Sequence, residues 1–126
     1  MKVTYYGHSC FLLEVASKSI LFDPFITGNP LAVDIKIQRI KADYILISHG
    51  HQDHVADAVQ LALQNNATII CAFDLMDWFA KQGCQHIHPM NTGGAHRFEF
   101  GSVKCVVAQH SSVLPDGTYG ANPMGF

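Results

Sequence analysis

Period-two alternation dominates the first part of the chain. Val3 and Tyr5 alternate with Thr4 and Tyr6, and Phe11, Leu13 and Val15 alternate with Leu12 and Glu14. Ser17-Lys18 makes a turn into Ile20-Leu21-Phe22, and Asp23-Pro24 ends that run because proline has no N–H to give to a ladder. The pattern predicts three short strands in an antiparallel meander. Thr27-Gly28-Asn29-Pro30 reads as loop.

From Tyr44 the pattern changes. Tyr44-Ile45-Leu46-Ile47 is a continuous apolar run, as expected of a central strand covered on both faces. A polar turn follows, then a helix over Val55 to Gln64 with Val55, Val59, Ala62 and Leu63 on one face. Ala67 to Cys71 reads as a strand. Phe73 to Gln82 reads as a helix with Met76, Phe79 and Ala80 on one stripe, Asp74 early, Lys81 late and Gly83 as its C-terminal cap. The stripe, with Trp78, suits a core rather than a cofactor. Strands are expected near Gln85–His88 and Ala95–Phe100, with a longer one over Ser102–Gln109. Strand–helix–strand–helix–strand after a meander predicts an α/β (α+β) chain: a mixed sheet with helices on one face. The last segment, Tyr119 to Phe126, is uncharged and reads as the lead-in to a strand, either docked on the domain or continuing into something longer.

Composition narrows the class. With 126 residues, 48% apolar and only 14% charged, the chain has the makings of a core and is not intrinsically disordered. A net charge of −2 gives no basic footprint for nucleic acid. No apolar run approaches the length of a membrane span, and Met1 to His8 lacks the apolar stretch of a secretory signal. Cys10, Cys71, Cys84 and Cys105 lie far apart with no C-x-x-C pair, which reads as buried, reduced cysteine in a cytoplasmic protein. Histidine is the outlier: there are eight, as many as Lys and Arg together.

The histidines concentrate chemistry in one place. Ser48-His49-Gly50-His51-Gln52-Asp53-His54 puts four potential metal ligands in six positions, directly after a buried strand and before a helix. A strand end and tight turn can aim His49 and His51 at one point, while Asp53 and His54 open the helix and face a neighbouring point. Imidazole and carboxylate donors suit zinc, and also iron or manganese. His110, expected at the end of the Ser102–Gln109 strand, is a good third ligand beside His49 and His51. His8, at the first turn, and Asp23, at the end of the third strand, read either as turn residues or as groups supporting the ligands. His86 and His96 read as surface residues, and His88 stays open.

These residues resemble the H-x-H-x-D-H pattern of the metallo-β-lactamase superfamily. The similarity is greatest to its UPF0173-type metal-dependent hydrolases, relatives of ascorbate-6-phosphate lactonase. It is carried by Met1 to Ser9, Leu21 to Pro30, Ser48 to His54, His88-Pro89-Met90-Asn91 with Gly93-Gly94, and His110-Ser111-Ser112 with Asp116-Gly117. The resemblance implies an αββα sandwich with up to two divalent ions, zinc first, with manganese or iron as alternatives. By position His49, His51 and His110 match the ligands of the first ion, and Asp53 and His54 match two ligands of the second. Asp23 matches a supporting aspartate, and His8 an active-site lining residue with a catalytic part. Members of the family are nearly twice this long. Their second half supplies a bridging aspartate and a last histidine, and nothing after His110 matches these. Residues 1–126 are thus expected to form a single domain, the N-terminal half of the fold, with the C-terminal half absent.

The activity the resemblance implies is hydrolysis by metal-activated water of an ester, lactone or phosphoester in a small-molecule substrate, with Asp53 orienting the water. Two other readings stand beside it. The chain is a metal-binding module without turnover, or a half-fold that needs the missing half or a second copy and associates through an exposed sheet edge as a homo-oligomer.

Overall fold

The computed structural model describes residues 1–126. Strands β1 (Lys2–Gly7), β2 (Cys10–Val15) and β3 (Lys18–Phe22) form the predicted antiparallel meander. Its register sets Lys2 opposite Glu14, and the two side chains pair at 2.7 Å. Strands β4 (Tyr44–Leu46), β5 (Thr68–Ala72) and β6 (Ile87–Met90) then add in parallel, so one six-stranded sheet runs β1-β2-β3-β4-β5-β6. Ile45, Leu46, Ile69, Ile70 and Cys71 are fully buried, as the continuous apolar runs require of central parallel strands.

The crossovers are helical. Helices α1 (Gln52–Val55) and α2 (Ala58–Asn65) join β4 to β5, and α3 (Met76–Lys81) joins β5 to β6. Successive right-handed crossovers stepping in one direction across the sheet place these helices on one face. The other face carries the hairpin of β7 (Ala95–Phe98) and β8 (Gly101–Lys104), whose Phe98 and Phe100 rings pack on Tyr44 at 5.6 and 4.7 Å. Beside the hairpin an apolar groove of about 250 Å³ stays open, lined by Leu13, Val15, Ile20, Phe22, Leu46 and Phe126 among others. No helix is long and apolar enough to cross a membrane.

Four expectations change. The predicted helix over Val55 to Gln64 is two helices, because Asp57 (φ −112°, ψ 5°) interrupts it. There its carboxylate accepts the N–H groups of Ile26 and Thr27 at 2.6 and 2.8 Å, which a continuous helix would not place. The break rotates the buried face to Val55, Ala58, Leu61 and Ala62, leaving Leu63 exposed. A 3-10 turn over Phe73–Leu75 precedes α3, so that Leu75 of the turn and Phe79 of the helix are buried in the core, while Met76 is half-buried and Ala80 exposed. Gly83 follows α3 in the left-handed conformation expected of the cap, at φ +94°.

The long strand expected over Ser102–Gln109 breaks at Cys105, whose N–H and C=O are taken by Gly94 and Gly93. Beyond it, β9 (Val106–Val107) pairs instead with β10 (Met124–Gly125). The uncharged C-terminal segment therefore forms a short strand, and His110 lies in the loop after β9 rather than at a strand end. Strand β6 begins two residues later than expected and contains Pro89, which an outermost strand tolerates. All four cysteines are buried and free.

Candidate metal centre

The carboxyl end of a central parallel strand is where an α/β sheet presents loops to a ligand. Here β4 runs out into Ser48-His49-Gly50-His51, and α1 begins at Gln52. Asp53 lies in the first turn of α1, where the peptide dipoles favour a carboxylate. His54 follows on the buried side.

Two donor groups form around this loop. In the first, the ring nitrogens of His49, His51 and His110 lie within 4.8 Å of one another. His49 Nε2 and His51 Nδ1 approach to 2.9 Å, and the His110 ring stands edge-on to both, at 4.9 and 5.1 Å between centroids. In the second, His8, Asp53 and His54 converge equally closely. His8 Nε2 is 3.2 Å from Asp53 Oδ2 and 3.3 Å from His54 Nε2. The groups are adjacent, since the His49 and His54 rings are 4.1 Å apart. Depth grades outward: His49 and His54 are buried, His51 and Asp53 half-buried, and His8 and His110 exposed. His86, His88 and His96 stand apart; the rings of His88 and His96 pair at 4.2 Å against Phe98.

Asp23 organises the histidines from behind. Its backbone takes the left-handed conformation (φ +40°) just after β3. Oδ1 accepts the Ser48 N–H at 2.7 Å. Oδ2 accepts the Ser48 hydroxyl at 2.7 Å and His54 Nδ1–H at 2.9 Å. With its proton given to Asp23, the Ser48 oxygen accepts His49 Nδ1–H at 2.9 Å. Both buried histidines are thereby set in the tautomer that leaves Nε2 with a free lone pair, the form a metal ligand needs. Burial, reinforced by the neighbouring imidazoles of His54 and His51, lowers His49 to about 4, so it is neutral at neutral pH.

Two further residues hold the loops, and both escaped the sequence reading in this role. Asp57, buried between α1 and α2, ties the segment after Asp23 to the helices through Ile26 and Thr27. Ser112 donates to Gly120 C=O at 2.6 Å and accepts the Gly50 N–H at 3.1 Å, which joins the segment after His110 to the loop of His49 and His51. The only signals in the sequence were an aspartate inside one predicted helix and a serine two residues past a histidine.

Five imidazoles and one carboxylate in two tight groups fit zinc, manganese or iron, with His49 neutral and both deep histidines oriented by hydrogen bonds at their far nitrogens. Among known families, the Beta-lactamase superfamily domain matches residues 2–124. The chain belongs to the beta-lactamase superfamily. Similar members of the superfamily include proteins named UPF0173 metal-dependent hydrolase. The one from Flavobacterium johnsoniae is 52% identical over the whole chain, and the one from Methylacidiphilum infernorum is 50% identical. The chain spans 56% of the length of each. A solved metallo hydrolase from the hyperthermophilic archaeon Ignicoccus hospitalis superposes with a TM-score of 0.80 at 26% identity, covering 98% of this chain and 53% of that one. The mixed sheet with its few helices is thus the superfamily's fold.

Proposed function

We propose that the chain supplies the metal-holding part of a metal-dependent hydrolase acting on a small-molecule ester, lactone or phosphoester. The observation that carries this reading is the adjacency of the two donor groups at the carboxyl end of β4. His49, His51 and His110 would hold one divalent ion, and Asp53 and His54 would contribute to a second; zinc suits the donors first, then manganese or iron. A divalent ion at such a site supplies an activated water at neutral pH and polarises the substrate oxygen. Asp53, half-buried in the first turn of α1, presents a carboxylate able to accept a proton from attacking water and to orient it. Asp23 and Ser48 keep His49 and His54 in their ligand tautomers.

The names of the similar members support hydrolysis, and the lactone and phosphoester classes follow from the chemistry that activated water performs. The test is metal content per chain, followed by hydrolysis of lactone and phosphodiester substrates, with His51→Ala as the control. Bound zinc or manganese with turnover lost in His51→Ala is the expected result. A chain that takes up neither metal would overturn the reading.

The open groove beside β3 favours a second reading. In it the chain holds metal without turnover until a second copy, or the remainder of a longer protein, covers that face. Turnover that rises with protein concentration, or appears only on adding the longer form, would distinguish it.

A further inference from the structure

We propose that the hollow between the β1–β2–β3 meander and residues 34–41 is a second ligand site, which takes a small phosphate ester with an apolar body. This goes beyond the hydrolytic reading and does not depend on it, because no residue of either donor group lines the hollow.

The hollow follows from the pleat and the connection that crosses it. Pairing sets Lys2 opposite Glu14, Thr4 opposite Leu12, and Glu14 opposite Ser19, so these side chains share one face of the meander. Leu13 and Val15 point to the other face, that of the open groove. The connection from β3 to β4 crosses the first face, anchored by buried Ile26 and Ala32 early and by buried Ile40 and Ala42 late. A cavity of about 490 Å³ lies beneath it, within the range of roughly 300–1,000 Å³ usual for small-molecule sites.

Three observations carry the inference. The first is charge. Of the eight lysines and arginines, Lys2, Lys36, Arg39 and Lys41 line this one cavity. Glu14 pairs with Lys2 at 2.7 Å. Lys36, Arg39 and Lys41 take part in none of the chain's ion pairs, and Asp34 is the one other acidic side chain of the lining. Cations gathered in this way repel one another and attract an anion into the cleft.

The second is the kind of donor. Thr4, Tyr6 and Ser19 add half-buried hydroxyl groups to the same lining. A guanidinium fork, two ammonium groups and hydroxyls together suit the several oxygens of a phosphate. Buried Leu12 and Ile40 and half-buried Ile35 supply apolar surface beside them, against which an apolar body packs.

The third is the way the cations are held. A 3-10 turn over Ile37–Arg39 buries none of its own residues. The end of α2 nevertheless fixes it from behind. The Gln64 side-chain amide reaches the C=O groups of Ile37, Gln38 and Ile40 at 3.3, 3.3 and 3.1 Å, and that of Asn65 donates to Ile40 C=O at 3.2 Å. Lys36 C=O accepts the Arg39 N–H at 2.9 Å. Lys36 and Arg39 are thereby set at the two ends of a fixed turn, which lowers the ordering cost of binding.

The experiment is isothermal titration calorimetry of the metal-free chain, in chelator, with adenosine 5′-monophosphate, inorganic phosphate and adenosine as separate titrants. The nucleotide is expected to bind once per chain and more tightly than either of its parts. Arg39→Ala should weaken it at least about tenfold, as loss of a hydrogen bond to a charged group requires, and Lys36→Ala should do likewise. Gln64→Ala leaves every charge in place and should weaken binding by a smaller factor, a loss that net charge does not explain. Lys104→Ala, at the open groove, should bind as the wild type does. Circular dichroism of each variant should match the wild type. No nucleotide binding by the wild type, or an equal loss in Lys104→Ala and Arg39→Ala, would overturn the proposal. Inorganic phosphate bound as tightly as the nucleotide would overturn the apolar body, and a single-stranded oligonucleotide bound more tightly would overturn the small ligand. Neither metal content nor turnover enters the readout, so each of these failures leaves the reading of the metal centre standing.

Discussion

Asp23 Oδ2 accepts a 2.9 Å hydrogen bond from His54 Nδ1 across 31 residues of sequence, and the same oxygen accepts the Ser48 hydroxyl that orients His49. One carboxylate therefore sets the tautomer of a histidine in each donor group. Asp23→Asn tests this cleanly, because asparagine also tolerates the left-handed backbone that Asp23 adopts. The substitution leaves one acceptor oxygen and adds an N–H that cannot accept from His54. Affinity for both ions is expected to fall, roughly 10–100-fold, measured by competition with a coloured chelator. Unchanged affinity would mean that the histidines need no alignment from behind.

Ser48→Ala divides the two sites. It removes the acceptor for His49 Nδ1–H and leaves the Asp23–His54 bond standing. The ion held by His49, His51 and His110 should weaken by about tenfold, while the ion beside His54 should change far less. Stepwise titration of wild type and variant reads the two affinities separately. An equal loss at both sites would place the role of Ser48 in the general packing of the loop.

Part of this organisation was legible in the sequence because it is local. His49, His51, Asp53 and His54 lie within one strand–turn–helix passage, where spacing alone predicts that their donors converge in two groups. The meander and the parallel strands were legible for the same reason, each being a short run with a clear period. His8 grouped with Asp53 and His54 was not, because 45 residues separate it from Asp53 and the contact depends on a left-handed turn that no side-chain pattern encodes. Asp57 escaped because its partners are the backbone N–H groups of Ile26 and Thr27, which carry no residue-type signal. That omission also misplaced the buried face of α2, since the helix was taken to run through the position where Asp57 breaks it.

Gly50 and Gly120 meet backbone to backbone, and Gly50 donates its N–H to Gly120 C=O at 3.1 Å. A Cβ on Gly50 would stand 2.8 Å from Gly120 Cα and 3.2 Å from its oxygen, against backbone that cannot rotate away. Gly50→Ala should therefore push the loop of His49 and His51 off the segment that follows His110. Overpacking of this kind destabilises by about 1–3 kcal/mol. Urea unfolding of the metal-free chain reads that loss, and the affinity for the first ion should fall with it. A variant with wild-type stability and affinity would show that the two segments separate freely.

The buried thiols give the chain an alkaline limit. Burial pushes Cys10 up to about 11 and Cys71 up to about 12, whereas both ionise near 9 in an unfolded chain. Between these values the unfolded chain releases protons that the folded chain retains, so protons favour the folded state. The stabilisation is complete below pH 9 and is lost as pH rises toward 11 and 12, at a slope on the order of 1 kcal/mol per pH unit for each thiol. Tyr6 and Tyr44, raised first by burial, act in the same direction. Cys71→Ala separates the thiol from them. Thermal unfolding of the metal-free chain under reducing conditions, scanned from pH 8 to pH 11, should show a falling Tm in both proteins and a shallower fall in the variant. Parallel curves would mean that Cys71 ionises in the folded chain as readily as in the unfolded one.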